Sequence, residues 1–338
     1  MTGDQPGLTA PRLSVCIPAY NRPRFIRTAL RSLVDVPTAV RSRTEIVVSD
    51  DSTDGDVGET CKEELRSWDG LCTYRRNAPS LGMAENWNRC VDLASGSYVL
   101  ILHDDDFLLP GGASAVVEAL DAAERPPAVL AFGVRIVDAQ GSPRPRRARK
   151  RRATRRRRFL PPAMAVSSLI GNSSFIRFPG MVVSKAAYEA APPFDPEIGE
   201  VADLLMWVRL AGVHGLQLEP AVTAAYRVHE GALTTGMWRP ETLEALRRVF
   251  YEGVVRRAVT PGDLSRSRAR FLSQFVLAGA WRRLQAGDPA EAAEVLRMFG
   301  APAMTGVGVP PSAQACRRLL EVVARAGSVR ADWVARPG

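Results

Sequence analysis

The chain has 338 residues, 46% hydrophobic and 24% charged, enough for one large core or a core domain with a smaller appendage. Its net charge is +9, but eleven Arg or Lys residues and no acid fall between Arg144 and Arg158, so the rest sums to about −2 (9 − 11) and is no general polyanion binder. No apolar run nears the ~18 residues that span a bilayer, Met1–Gly7 lacks signal-peptide character, and the five scattered cysteines (Cys16, Cys61, Cys72, Cys90, Cys316) have no CxxC spacing, which argues against zinc or a disulfide framework and for reduced thiols in a cytoplasmic protein.

The first third alternates as a parallel sheet with crossover helices should. Leu13-Ser-Val-Cys-Ile17 predicts a strand, broken by Pro18-Ala-Tyr-Asn21. Phe25, Ala29, Leu30 and Leu33 then follow at helical spacing within Arg22 to Asp35. Glu45-Ile-Val-Val-Ser49 predicts the second strand, which runs into Asp50-Asp51-Ser52-Thr53-Asp54-Gly55. A helix to about Arg66 and a strand around Cys72 to Arg75 come next. Met83 to Ala94 reads as helix, and Ser97 to Leu102 as the strand that ends in His103-Asp104-Asp105-Asp106.

Beyond Pro110 the pattern predicts a helix to about Glu124 and a strand over Val129 to Val137. The basic loop, a helix over Pro161 to Ile170 and a strand-like Phe178 to Ser184 follow. Ala202 to Leu210 is apolar except for Asp203 and Arg209. From Trp238 onward the spacing is helical, and Gly287-Asp-Pro separates two helices with some tetratricopeptide character. One such pair is weak evidence of a repeat array.

Three predicted strands end in polar loops, at Pro18–Arg22, Asp50–Gly55 and Asp104–Asp106. Ligands of open α/β sheets sit outside the carboxyl ends of the strands, so these loops can share one crevice. Three adjacent carboxylates at a strand tip repel one another and raise each other's pKa, an arrangement that a cation makes tolerable. Oxygen ligands in this number suit Mg²⁺ or Mn²⁺, which in turn suit a diphosphate. By itself the triplet also reads as an acidic turn that caps the next helix.

With these residues in view, the chain resembles the family-2 glycosyltransferases, enzymes of the GT-A fold, from about Leu13 to Thr235. Val15-Cys-Ile-Pro-Ala-Tyr-Asn21 is similar to the family's opening strand, and Val47-Val-Ser-Asp-Asp-Ser-Thr-Asp54 to its acidic second-strand signature. Asn77 to Tyr98, with Gly82, Asn88, Ala94 and Gly96, resembles the segment before the metal motif. Leu102-His-Asp-Asp-Asp-Phe-Leu-Leu-Pro110 resembles the DXD region, and Phe194-Asp-Pro-Glu with Ala202 to Leu210 the block that holds the base. The resemblance implies a Rossmann-like α/β fold whose mixed, mostly parallel sheet is flanked by helices, with a C-terminal helical appendage. It divides the chain into a flexible terminus (1–10), a GT-A domain (11–235) and a helical region (236–338).

The resemblance further implies a metal-dependent, inverting transfer of sugar from a UDP-sugar to a hydroxyl of a polysaccharide, lipid-linked or natural-product acceptor. Mn²⁺ or Mg²⁺ would be the cofactor, with Asp105 its best direct ligand, Asp106 an alternative and Asp104 nearer the ribose. Many relatives have Asp where His103 stands, which leaves open which two carboxylates form the working pair. Asp50 or Asp51, with Asp50 favoured, would accept a hydrogen bond from uracil N3–H, and either can also close an Asx turn. Ala19 and Asn21, within Pro18-Ala-Tyr20-Asn, would line the base pocket through backbone atoms, and Asn88 joins the donor-binding set.

Asp203 matches the family's base, which must take the proton of the attacking hydroxyl. Burial in its apolar surroundings would raise its pKa, as suits a base. Many relatives carry Glu before it and Asp two residues after, where this chain has Ala202 and Leu205. His229, in Tyr226-Arg-Val-His-Glu230, falls where relatives often have a histidine near the metal or diphosphate, but a surface or structural role weighs equally. Trp207 could stack on the acceptor, although core packing is its plainer role.

The Arg144–Arg158 segment reads first as a solvated loop. It could also attract an anionic acceptor or membrane surface, at ~1 kcal/mol per basic residue near anionic lipid. Aromatic interleaving is absent apart from Phe159, which argues against nucleic acid. The rival readings are a polyanion-binding protein acting through this loop, a nucleotidyltransferase and a nucleotide-sugar-binding relative without turnover. The second is disfavoured because Pro18 to Arg22 contains no glycine for a phosphate loop.

Overall fold

The computed structural model describes residues 10–122, 124–143, 154–172, 175–229, 231–232 and 236–334, with side chains to residue 327. Its strands are β1 (Leu13–Ala19), β2 (Thr44–Asp50), β3 (Cys72–Arg76), β4 (Tyr98–Ile101), β5 (Phe107–Leu108), β6 (Val129–Val137), β7 (Arg158–Leu160), β8 (Met181–Ser184) and β9 (Leu216–Arg227). The helices of the sheet-bearing part are α1 (Pro23–Val34), α2 (Thr38–Arg41), α3 (Asp56–Glu64), α4 (Met83–Leu93), α5 (Gly112–Asp121), α6 (Pro162–Gly171), α7 (Lys185–Ala190) and α8 (Ala202–His214). Then come α9 (Pro240–Val249), α10 (Gly253–Ala258), α11 (Pro261–Gln285), α12 (Pro289–Arg297) and α13 (Pro311–Val334).

The sheet runs β3-β2-β1-β4-β8-β6-β9-β5, with β7 paired to β9. β3, β2, β1 and β4 are mutually parallel, whereas β8 is antiparallel to both β4 and β6. Every residue of β1 and β2 is buried, as expected of parallel strands covered on both faces. Alternate side chains serve two cores. Leu13, Val15, Ile17 and Ala19 of β1 pack with Ile26, Leu30 and Leu33 of α1, while Cys16 joins the opposite core with Trp87, Val166 and Trp207. This is the mixed, mostly parallel α/β sandwich that the sequence implies.

The expected elements lie within a few residues of the observed ones, with one large exception. β9 is not legible in the sequence pattern, although it is among the longest strands in the sheet. Pro220 interrupts its apolar pattern, and Gln217 and Glu219 are buried polar residues that look like loop. The register explains how a proline fits. Ala131 of β6 faces Leu218 and Gly133 faces Val222, so Glu219-Pro-Ala221 bulges out of the ladder. Phe178 to Ser184 is likewise a 3-10 turn (Phe178–Gly180) followed by β8.

The C-terminal helices extend one of the two cores. Phe250, Phe271, Leu272, Phe275 and Leu320 belong to the same buried cluster as Trp87, Phe178 and Trp207. Between α11 and α12, Gly287 turns the chain at φ 81° and the Asp288 carboxylate caps α12 by accepting from Glu291 N–H at 2.9 Å. Residues 1–9, 144–153 and 233–235 lie outside the described residues, and with them the expected flexible terminus and most of the Arg-rich loop. Of that loop, Arg155 to Arg158 are exposed and Arg157 pairs with Glu219 at 2.9 Å. Among the described residues no helix is long and apolar enough to cross a membrane.

Candidate active site

Parallel pairing brings the three polar strand ends side by side. Ala19 at the end of β1 is level with Asp50 at the end of β2, and Leu102 N–H donates to Cys16 carbonyl at 2.8 Å just beyond β4. The loops are then stitched across. Asp51 N–H donates to Ala19 carbonyl (2.9 Å), Asn21 N–H to Ser52 Oγ (2.8 Å), and Thr53 N–H to the Asn21 side-chain oxygen (2.9 Å). Asn21 adopts φ 52°, a left-handed turn that Asn tolerates, and Pro23 opens α1 immediately afterwards.

The two carboxylates at the β2 tip differ. Asp50 is fully buried, accepts from Tyr74 Oη (2.7 Å) and Ser52 N–H (3.0 Å), and does not reach the cavity described below. Asp51 lines that cavity. It accepts from Leu81 N–H (2.7 Å), Gly82 N–H (2.8 Å), Ser80 Oγ (2.6 Å) and Asn77 Nδ2 (3.0 Å). Burial works against its charge, yet the hydrogen bonds from Leu81, Ser80, Gly82 and Asn77 hold its pKa below the usual carboxylate value. Gly82 sits at φ 82°, which lets the chain present two successive N–H groups to Asp51 before α4 begins.

At the β4 tip, Asp104 accepts from Tyr20 N–H at 3.0 Å and from the Arg22 guanidinium at 3.1 Å. Arg22 also reaches Asp105 at 3.4 Å. His229, two residues past β9, lies 2.9 Å from the same Asp105 oxygen, Oδ2. Asp106 accepts from Arg227 N–H at 2.8 Å, and Arg227 Nε donates to Asp105 carbonyl at 2.7 Å. Burial and the charge of Asp105 push Asp104 up to about 7 and Asp106 well above its ordinary value. Burial also opposes ionisation of Asp105, but the His229 hydrogen bond and the Arg22 charge hold its pKa low. Asp105 is thus the most readily ionised of the three, as expected where close carboxylates repel one another.

His103 is pushed down to about 4 by burial, so its imidazole is neutral near pH 7. It stacks on Trp87 at 5.3 Å and lies 4.5 Å from the Phe178 ring. Its Nε2 and the Oδ2 of Asp106 are buried with no hydrogen-bond partner among the described residues. Buried polar atoms are rarely left so. His103, Asp105 and Asp106 each offer a ligand atom within 4.8 Å of one another, a donor set of imidazole nitrogen and carboxylate oxygens that fits a divalent cation. His229 contacts Asp105 from the β9 side.

Asp203 occupies the first turn of α8. Burial pushes its carboxyl up to about 6, against the opposing effects of the Leu204 N–H and the Arg177 charge. Asp203, Asp51, Asp104, Asp105, Pro18, Ala19 and Tyr20 line one cavity of about 550 Å³. Asn88 does not line it. Its amide is held by the backbone of Phe194, donating to the carbonyl at 3.0 Å and accepting from the N–H at 2.8 Å. Asn86, two residues earlier in α4, lines the cavity instead, with Nδ2 3.4 Å from Ala19 carbonyl. Asn21 ties loops together rather than facing the cavity.

Residues 14–186, just over half of the chain, match the family model described as Glycosyl transferase family 2. The chain belongs to this family. Among curated relatives of this family-2 glycosyl transferase, a "GalNAc(5)-diNAcBac-PP-undecaprenol beta-1,3-glucosyltransferase" of Campylobacter jejuni is 31% identical over 108 residues, 32% of this chain and 34% of that one. "Abequosyltransferase RfbV" of Salmonella typhimurium is 29% identical over 109 residues, 32% of each chain. The matched stretches therefore span about a third of these relatives' lengths. The solved structure of S. aureus TarS 1-349 shares the fold over 94% of this chain and 88% of its own, at TM-score 0.60 and 18% identity. A mannosyltransferase from Pyrobaculum calidifontis, solved with GDP-Man and Mn²⁺, does so over 97% and 89%, at TM-score 0.56 and 19% identity. These two likenesses establish the GT-A architecture.

Sequence reasoning missed Arg22, Asn86 and Arg227. Arg227 sits one residue after Tyr226 in a quoted motif, but its contacts with Asp105 and Asp106 span over a hundred residues of chain. Asn86 and Asn88 are indistinguishable until the rotation of α4 against β1 is known.

Proposed function

We propose that this family-2 glycosyl transferase moves a sugar from a UDP-sugar to an acceptor hydroxyl, with inversion, in a metal-dependent single displacement. The observation that carries this reading is that Asp51, the Asp104–Asp105 pair and Asp203, carried on three separate parts of the chain, all line one cavity. Asp51 is the base reader in this scheme, in preference to Asp50. Of its four donors, the Ser80 hydroxyl is the one that can rotate away and leave an acceptor site for the uracil N3–H. Asp104, bonded to Tyr20 N–H, faces the ribose. Asp105, with Asp106 and a histidine (His103 or His229), would hold Mn²⁺ or Mg²⁺, which when bound neutralises charge on the leaving diphosphate.

The chain's own groups do the rest. The acceptor oxygen attacks the anomeric carbon as the bond from that carbon to the diphosphate oxygen breaks. The hydroxyl proton passes to Asp203, and UDP departs from the opposite face. Arg22 stands beside the Asp104–Asp105 pair and supplies positive charge at the same place. TarS 1-349 has also been solved in complex with UDP-GlcNAc, and the Pyrobaculum enzyme with GDP-Man and Mn²⁺. Those ligands support a nucleotide-sugar donor here, and the Asp51 carboxylate, which only accepts, suits the imide N3–H of uracil.

Calorimetric titration of UDP-, GDP- and dTDP-sugars, each with and without Mn²⁺, tests the reading. We expect tightest binding for a UDP-sugar, and at least tenfold weakening when EDTA replaces the metal. Equal affinity across the panel, or no effect of metal, would sink it.

A further inference from the structure

Helix α13 carries two apolar faces, of which one is packed. Ala313, Leu320 and Ala324 are buried, Arg317 lies over the Phe299 ring at 4.9 Å, and a Cβ on Gly327 would come within 3.0 Å of Pro289. These positions recur every three or four residues and form the side that rests on α11 and α12. The second face is exposed. Leu319 is 61% exposed, Val322 64% and Val323 42%, with Ala315, Cys316 and Ala326 exposed beside them. Spacings of three, four and seven place these six on one stripe, about three turns long.

Successive side chains are about 100° apart round a helix. Leu320, Leu319 and Arg318 therefore mark an order: packed face, apolar stripe, charged edge. Arg325, seven residues after Arg318, lies on the same edge, and both are exposed. Glu321, the only acid among the described side chains of α13, is engaged by Arg317 at 2.7 Å. The apolar stripe is thus bordered by positive charge.

This chemistry selects what covers the stripe. Leu and Val give a nucleic acid no ring to stack on. A second copy of the chain gains little, because six side chains on about three turns fall well short of the ~800 Å² per partner of a stable interface. Antiparallel stripes would also set Arg318 and Arg325 against their own counterparts. An anionic lipid surface meets both features, since aliphatic side chains enter the headgroup boundary while arginine stems reach the phosphates.

We propose that α13 docks this face on an anionic membrane surface, with Leu319, Val322 and Val323 inserted and Arg318 and Arg325 against lipid phosphates. No described residue of α13 lines the cavity, so the proposal is independent of the transferase reading.

The test is co-sedimentation of the full chain with vesicles of phosphatidylcholine, with or without one-quarter phosphatidylglycerol, beside a heparin titration. We expect at least tenfold tighter binding to the phosphatidylglycerol vesicles. Combined Leu319→Ser, Val322→Ser and Val323→Ser should weaken that binding about tenfold or more, with heparin binding, UDP affinity and melting temperature unchanged. The heparin titration matters because the Arg144–Arg158 segment can attract any polyanion by charge alone. Should the serine variant melt early, Arg318→Gln with Arg325→Gln carries the test, with the same expected loss. No binding to phosphatidylglycerol vesicles, or unchanged binding by the variants, would overturn the proposal. So would a fall in mass from dimer to monomer in the serine variant by light scattering, which would make the face an interface between copies.

Discussion

The two ends of the cavity are built on opposite principles. At the strand tips, carboxylates are fixed before any ligand arrives. Asp51 takes four hydrogen bonds, Asp104 is held by Tyr20 and Arg22, and Asp106 by Arg227. At the α8 end Asp203 sits largely among aromatic and aliphatic side chains, with Glu200, Arg177 and Arg282 also on the wall, and owes its raised pKa chiefly to burial. Preorganised polar groups suit a ligand whose charge is constant, such as a nucleoside diphosphate. A desolvated carboxylate suits a group that must take up a proton. In the proposed function the contrast separates donor binding from acceptor activation.

Substitutions can break that separation. The largest effect is expected at Asp203→Asn, which removes the proposed base while keeping the shape: kcat should drop by about 10²–10⁴, with UDP affinity and melting temperature unchanged. If UDP affinity fell as well, the two ends would not be independent. The pH dependence sharpens the same point. As the proposed base, Asp203 would act as the carboxylate, so the rate should rise with pH, reach half its maximum near pH 6 and level off above it. A rate already at its maximum by about pH 4.5, near the ordinary carboxylate range, would exclude this group.

Asp51→Ala is the counterpart at the donor end. It leaves the N–H groups of Leu81 and Gly82 and the side chains of Ser80 and Asn77 without their acceptor, so we expect about 2–3 kcal/mol of lost stability in denaturant titration and tenfold or weaker UDP binding. Because the folded pKa of Asp51 is lowered, its contribution is complete above the ordinary carboxylate range and is lost as pH falls through the folded value. The smallest effect should come from Arg43→Ala, far from either end. Its ion pair with Asp121 is about 40% exposed on both sides, and its loss should cost less than about 1 kcal/mol by the same titration.

The chain alone locates the acidic strand tips well. Leu13 to Ile17, Ile46 to Val48 and Tyr98 to Leu102 are largely apolar runs that lead into polar loops, and doubly covered parallel strands have to look like that. The choice between Asp50 and Asp51 is out of its reach, because neighbouring residues on a strand point to opposite faces and only the pairing with β1 and β3 says which face is the cavity. β9 is hidden by Pro220, whose bulge is visible only opposite β6.

What the amino-acid order determined by itself was the alternation of strands and helices, the acidic tips and the place of Asp203 in an apolar helix. These are local patterns, set by side-chain periodicity and by where polarity interrupts it. Tertiary structure alone decided that Arg22, Arg227 and His229 converge on the acidic triplet, that Asn86 rather than Asn88 faces inward, and that helices near the C-terminus wall the α8 end of the cavity. Those contacts join residues far apart in the chain, so they exist only once the packing of two cores has fixed the relative positions of sheet and helices.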